Sequence, residues 1–164
     1  MKKELINLGY KILNSRLFSR LFSSYKLTWE LAGITKSTAM DAVLRGVSNE
    51  EEFWTLGENV AEELKKFVNK NKDSIVLDVG CVIGRVEKFL APYCKEVHGV
   101  DVSGRMIKLA RKNLKNYKNV FFYKNNGKDL RIFPDNAFDF VFSILTLQHL
   151  EKEDAYISRK YIVF

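Results

Sequence analysis

The chain changes rhythm once along its length. Over the first third, apolar residues recur at helical spacing: Leu5, Ile6, Ile12, Leu13, Leu17, Leu21 and Phe22 lie three or four apart with Lys and Arg between them. This predicts a basic amphipathic helix, with Phe18 and Tyr25 extending its apolar stripe. Ser48, followed by Glu50, Glu51 and Glu52, predicts a second helix start, because a hydroxyl cap and first-turn acids satisfy free N–H groups. That helix presents Phe53, Leu56, Val60, Leu64 and Phe67 on one side and is expected to end near Asn69–Asn71. From Ile75 onward strands alternate with helices. Ile75–Leu77 reads as a buried strand ending at Asp78, Arg85–Tyr93 as a helix halted near Pro92, and Glu96–Val100 as a strand ending at Asp101. Ser103 is placed to cap a helix whose inner face carries Met106, Ile107, Ala110 and Leu114. Val120–Tyr123 is a third strand, Asn125–Asn136 a loop, and Phe138–Ser143 a fourth strand with Asp139 at its entrance. Strand–helix–strand units of this length predict an α/β fold, a parallel sheet with helices on both faces, preceded by N-terminal helices. The expected division is an arm over residues 1–47 and a sheet domain over 48–164.

Composition narrows the class. Of 164 residues, 46% are hydrophobic and 29% charged, which excludes a chain disordered throughout; two prolines and nine glycines exclude collagen-like and low-complexity chains. Cys81 and Cys94 form neither a disulfide framework nor a metal-ligand spacing, so no metal is expected and a reduced, cytoplasmic setting is. The longest uncharged run, Phe140–Leu150, is too short to span a bilayer, and the basic N-terminus lacks the continuous apolar run of a signal peptide. Charge is uneven: residues 1–47 carry eight basic against three acidic side chains, so +5 of the net +7 lies in the arm. A nucleic-acid surface there has no recognised binding motif beside it, and a solvated helix face is the favoured reading.

One stretch carries chemistry. In Val76-Leu77-Asp78-Val79-Gly80-Cys81-Val82-Ile83-Gly84-Arg85 an apolar strand runs into a glycine turn and then a helix start. Glycines let the backbone approach a ligand closely, and a helix N-terminus favours negative charge. Asp101 follows Gly80 by 21 residues, at the end of the second strand, where a carboxylate can accept hydrogen bonds from both ribose hydroxyls of a nucleoside. The dinucleotide pattern G-x-G-x-x-G fails, since its positions read Gly80, Val82 and Arg85, and no phosphate-binding P-loop is present.

The stretch resembles motif I of class I S-adenosylmethionine-dependent methyltransferases, close to V-L-D-V-G-C-G-x-G, and the resemblance runs from about Glu51 to Leu150. His98-Gly99-Val100-Asp101-Val102-Ser103 with Met106 and Ala110, Asn126-Gly127-Lys128-Asp129-Leu130, and Phe138–Ser143 with Leu147-Gln148-His149 are similar to the next three blocks, in order. The resemblance implies S-adenosylmethionine as cofactor. Gly80, Cys81 and Gly84 would surround its methionine portion, with Asp78 ordering the turn and Asp101 holding the ribose. Val102 and Met106 would flank the adenine, Asn126 and Gly127 would meet its edge, and Ser143 and Leu145 would line the sulfonium side. Val82 stands where the family has glycine, and a β-branched residue tolerates a left-handed backbone poorly, so a strained or altered loop is expected. Asn126 stands where an acid is frequent. Methyl transfer needs in-line positioning more than a strong acid, and no catalytic triad is present. His149 reads either as a general base or as a structural histidine, Cys81 as a small packing residue, and Tyr25, Trp29 and Trp54 as core or pocket cover. No N-P-P-[YF] block follows the fourth strand, which argues against adenine- or glutamine-type amino methylation.

The resemblance further implies a seven-stranded sheet ordered 3-2-1-4-5-7-6, of which this chain supplies four strands. Tyr156–Phe164 departs from the continuation the family shows, so the chain is expected to be C-terminally truncated, through a frameshift near Ala155–Tyr156, with its activity open. The fourth strand would then be an edge suited to self-association, with Tyr161–Phe164 as a substitute neighbour. Two readings stand: methyl transfer to a small-molecule or other acceptor, or a non-catalytic binding module joined to a partner that supplies the missing strands. Membrane-surface binding through residues 1–27 is a third.

Overall fold

A computed structural model of the chain describes residues 25–44, 49–68 and 72–146. The predicted helix over residues 5–22, the end at Asn69–Asn71, and His149 therefore lie outside the described residues. Two short helices open the described chain: α1 (Tyr25–Ala32) and α2 (Lys36–Val43). Thr35 caps α2, its hydroxyl accepting from the N–H of Thr38 while the Thr38 hydroxyl accepts from the N–H of Thr35. The longer α3 (Glu50–Leu64) is capped by Asn49, whose side chain accepts from Glu52 N–H, so the cap sits one residue beyond the serine expected to provide it. Phe53 of the expected stripe is fully buried and Val60 and Leu64 pack against the core, with Gly57 and Ala61 buried beside them; Phe67, at the stripe's end, is exposed and stacks on Phe140 at 5.5 Å.

The sheet comprises β1 (Ile75–Val79), β2 (Glu96–Asp101), β3 (Val120–Lys124) and β4 (Phe140–Phe142). All pairings are parallel and the order is β3-β2-β1-β4. This matches the first four strands of the expected seven-stranded order. Between β1 and β2 the chain makes a turn and the single-turn helix α4 (Glu87–Leu90), then a 3-10 turn, Ala91–Tyr93, that contains Pro92; α5 (Gly104–Asn113) links β2 to β3. Ser103 caps α5 as predicted, and Met106, Ile107, Ala110 and Leu114 are buried beneath it. The fourth strand is shorter than expected; just before it the Asp139 N–H donates to Ile75 O at 2.9 Å and the Asp139 carboxylate accepts from Ile75 N–H at 2.8 Å.

Register assigns the two faces. Val76, Val97 and Phe142 pack with Ala61 of α3 and Leu90 of α4, and Phe122 packs with Ile107 and Ala110 of α5. Among the described residues the opposite face is covered by the connection between β3 and β4: Leu77, Val79 and Val100 meet Leu130, Phe133 and Phe138. A third cluster joins α2 to the domain, with Ala39 against Phe53, Ile83 and Met106, all four fully buried. Since β2 and β3 extend to one side of β1 and β4 to the other, the order in which strands are added reverses between β1 and β4. In open parallel sheets the cleft outside the strands' carboxyl ends at such a switch is where ligands bind.

Candidate functional site

A cleft opens there. Its floor is the ends of β1 and β2 (Val79, Gly80, Val100, Asp101, Val102), one wall is the start of the segments after β3 and β4 (Asn125, Gly127, Leu145, Thr146), and α1 supplies Tyr25 and Trp29 opposite. The lining is largely apolar, with a few polar groups such as Asp101 and Asn125 converging on it.

Asp101 organises this floor. It is only 8% exposed, and its two carboxylate oxygens accept from two different turns, Oδ2 from Val82 N–H after β1 at 3.1 Å and Oδ1 from Ser103 N–H after β2 at 2.8 Å. Burial pushes its pKa up to about 6, against the pull of those two N–H groups. A carboxylate offers about four acceptor positions, so each oxygen retains capacity after these bonds. Asp101 thus helps to order the turn after β1, the role expected of Asp78. Gly80 and Cys81 both donate to Val100 O (2.8 and 3.0 Å), and Gly84 donates to Cys81 O at 3.0 Å, which tucks the loop onto β2.

Gly80 has φ +94° and Gly127 φ +71°, both left-handed. A Cβ on Gly80 would lie 2.0 Å from Thr146 Oγ1, and one on Gly127 2.5 Å from the Tyr25 hydroxyl oxygen. These two glycines let three chain segments close around the cleft. Val82, at φ +51°, adopts the left-handed conformation despite its branched side chain, so the expected strain is present and its side chain lines the cleft.

Of the residues singled out from sequence, Gly80, Asp101, Val102, Gly127 and Leu145 line the cleft. Others sit behind it. Cys81 is buried against Gly99, where a Cβ would come within 2.7 Å of its own, and burial raises its thiol pKa well above the ordinary range, so it packs rather than reacts. Gly84 lies under Leu114 of α5, and Met106 belongs to the buried Ala39–Phe53–Ile83 cluster. Ser143 donates to Val79 O at 2.8 Å, tying the end of β4 to β1. Asn126 is exposed; its side-chain oxygen accepts from Lys128 and Asp129 N–H, closing a turn. Its neighbour Asn125 takes the position at the cleft, immediately after β3, with its N–H on Asp101 O at 3.0 Å. Strand-end position was the available signal for Asn125; the turn chemistry of Asn126-Gly127 drew attention one residue further on. Nothing in the local pattern marks Val43, Ile144 or Thr146. Tyr25 and Trp29 line the cleft, whereas Trp54 lies outside it under Lys36 and Lys88.

Behind the loop is a buried charged group. Asp78 and Glu87 are 3% and 0% exposed, and Arg85, at 7%, is the cation beside them. Burial pushes Asp78 up to about 8, with Asp101 adding to the rise and Arg85 opposing it; burial and the Asp78 carboxylate push Glu87 well up. At neutral pH the pair therefore retains a proton.

A methyltransferase-domain family model matches residues 76–161, more than half of the chain. The chain belongs to this methyltransferase domain family. Demethylmenaquinone methyltransferase of Tropheryma whipplei (strain Twist) is 33% identical over 82 residues, 50% of this chain and 34% of that protein. Phosphoethanolamine N-methyltransferase 2 of Caenorhabditis elegans is 31% identical over 100 residues, 60% of this chain and 23% of that protein. The matched part of the methyltransferase domain thus spans about a third or less of these relatives. Among solved structures, the PH0226 protein of Pyrococcus horikoshii OT3 shares 32% identity at a TM-score of 0.60, over 69% of this chain and 52% of that one. Magnesium protoporphyrin IX methyltransferase of Synechocystis PCC 6803, solved with bound S-adenosylmethionine, has a TM-score of 0.62 over 84% of this chain and 70% of that one; at 17% identity it shows the shared fold. The cofactor bound in that structure is S-adenosylmethionine. The cleft suits it: glycines at Gly80 and Gly127 leave room where a Cβ would collide, and a buried carboxylate with spare acceptor capacity stands at the end of β2. No helix among the described residues is long and apolar enough to cross a membrane.

Proposed function

We propose that this chain is the cofactor-binding portion of an S-adenosylmethionine-dependent methyltransferase acting on a small-molecule acceptor. Asp101 carries the reading: a carboxylate fixed by two backbone N–H groups, opening on the cleft at the sheet's switch point. It accepts from the ribose hydroxyls. Val102 and Tyr25 flank the adenine, Asn125 and Gly127 meet its edge, and Gly80 admits the methionine portion close to the backbone. Leu145, with Ile144 and Thr146 beside it, lines the sulfonium side. Because the Gly80, Cys81 and Val82 N–H groups are already engaged, the loop contributes close approach more than hydrogen bonds.

When bound, the cofactor supplies an electrophilic methyl group on a positively charged sulfur. The chain's part is to exclude water around that group and to hold it toward the acceptor; the apolar Trp29, Val43 and Leu145 do this without an ionisable side chain. Calorimetric titration of the 164-residue chain with S-adenosylmethionine tests the reading. Saturable binding that Asp101→Ala weakens at least tenfold is expected, since a charged hydrogen-bond acceptor contributes about 1.5–3 kcal/mol. A folded wild-type chain that takes up no cofactor overturns it.

A further inference from the structure

Helix α1 is fastened over the cleft at three points. At its N-terminal end the Tyr25 hydroxyl donates to Gly127 O at 2.8 Å. Near its C-terminal end the Glu30 carboxylate accepts from the Ser103 hydroxyl at 2.6 Å and from Arg105 N–H at 3.3 Å, both through Oε2. Arg105 Nη1 in turn donates to Glu30 O at 3.4 Å. Gly33 completes the seam: a Cβ there would lie 2.8 Å from Arg105 Cβ and 3.0 Å from Met106 N. Trp29, adjacent to Glu30, and Tyr25 are the two residues this helix turns into the cleft.

Ser103 is where the fastening meets the site. Fully buried, it gives its N–H to Asp101 Oδ1 and its hydroxyl proton to Glu30, while its oxygen accepts from Met106 N–H and so caps α5. One small side chain thus links the ribose-facing carboxylate, the start of α5 and the helix that bears the aromatic wall. A change at Glu30 is felt on both sides of the cleft although Glu30 itself is not among its lining residues.

We infer that Glu30 is a positioning residue of this cleft, latching α1 to the Asp101–Ser103 turn so that Tyr25 and Trp29 form a fixed wall against the bound nucleoside. The inference rests on the cofactor reading above for its ligand, but not for its geometry. The latch acts through Ser103 and through the helix it holds, and its charge is set against Lys124 and Arg105 as well. Gln at position 30 retains an oxygen for the Ser103 and Arg105 donors; Ala retains none.

Trp29 and Trp54 are the two tryptophans of the chain, so in a Trp54→Phe background indole emission reports on the cleft wall alone. In that background Glu30→Ala is expected to red-shift the ligand-free Trp29 emission and to weaken S-adenosylmethionine binding about fivefold, as loss of a partly exposed charged hydrogen bond allows. Glu30→Gln is expected to restore both readouts toward the parent, which a mere loss of packing would not do. Unchanged Trp29 emission in Glu30→Ala, or a Glu30→Gln variant as impaired as Glu30→Ala, overturns the latch. If the parent takes up no cofactor, the functional reading falls, and the ligand-free emission of the three proteins still decides the latch by the same criteria.

Discussion

Val82 occupies a backbone conformation that its own side chain opposes. Its φ of +51° brings Cβ toward the following carbonyl, yet the Val82 N–H is held on Asp101 at 3.1 Å, which fixes the turn. Val82→Gly relieves that clash and gives back part of it as unfolded-chain entropy, so a net gain of about 1 kcal/mol in unfolding free energy is expected by denaturant titration. A loss would mean that the valine side chain contributes more by packing than it costs in strain. Asp101 makes the second prediction at this scale. Its folded pKa of about 6 lies above the unfolded value, and ribose hydroxyls bond better to the ionised form. Cofactor affinity should therefore be full above about pH 7 and fall roughly tenfold by pH 5, a dependence that Asp101→Asn abolishes. Calorimetry at the two pH values checks it.

At the scale of elements, close approach is as decisive as apolar patterning. Helix α3 meets the turn before α4 at Gly57, where a Cβ would lie 2.4 Å from Arg85 Cγ and 2.6 Å from the Arg85 backbone oxygen. Gly57→Ala is expected to destabilise by about 1–3 kcal/mol despite raising helix propensity, because the turn cannot retreat without disturbing Arg85. Thermal unfolding reads the sign directly. The same position shows what was legible. Strands β1 to β3 and α5 follow from period and caps, since each buries a face whose residues alternate or recur at the helical spacing. The apolar stripe of α3 is legible too, with Phe53 buried and Val60 and Leu64 packed on the core, whereas Gly57 and Ala61, buried beside them, are too small to register as hydrophobic signals. The site was readable where strand ends determine it, at Gly80, Asp101 and Gly127. It was not readable where tertiary approach determines it: Asn125 displaces Asn126, Met106 is claimed by the Ala39–Phe53 cluster, and Asp78 turns inward to Glu87. The Glu30–Ser103 bond joins residues 73 apart, a separation no local pattern encodes.

For the whole molecule, the buried acids set how stability responds to pH. Asp78 (about 8), Asp101 (about 6) and Glu87 (well raised) all hold protons more tightly in the folded chain than in the unfolded one. The folded state consequently binds more protons from about pH 4 upward, and each proton lost on raising the pH through these values reduces stability. Asp101 gives up most of its contribution by pH 6, so Asp78 and Glu87 predict an unfolding midpoint lower at pH 8.5 than at pH 6, the reverse of a protein whose carboxylates sit in exposed ion pairs. Glu87→Gln separates their contributions. The amide preserves the shape and can donate to Asp78 while removing one of the two ionisable carboxyls; Arg85 then faces a single carboxylate. The difference between the two midpoints should shrink in this variant, with the gain concentrated at pH 8.5. A slope unchanged by Glu87→Gln would place the titration elsewhere, and a variant weaker at pH 8.5 than the parent would show that Glu87 is ionised and stabilises Arg85 as its counter-charge.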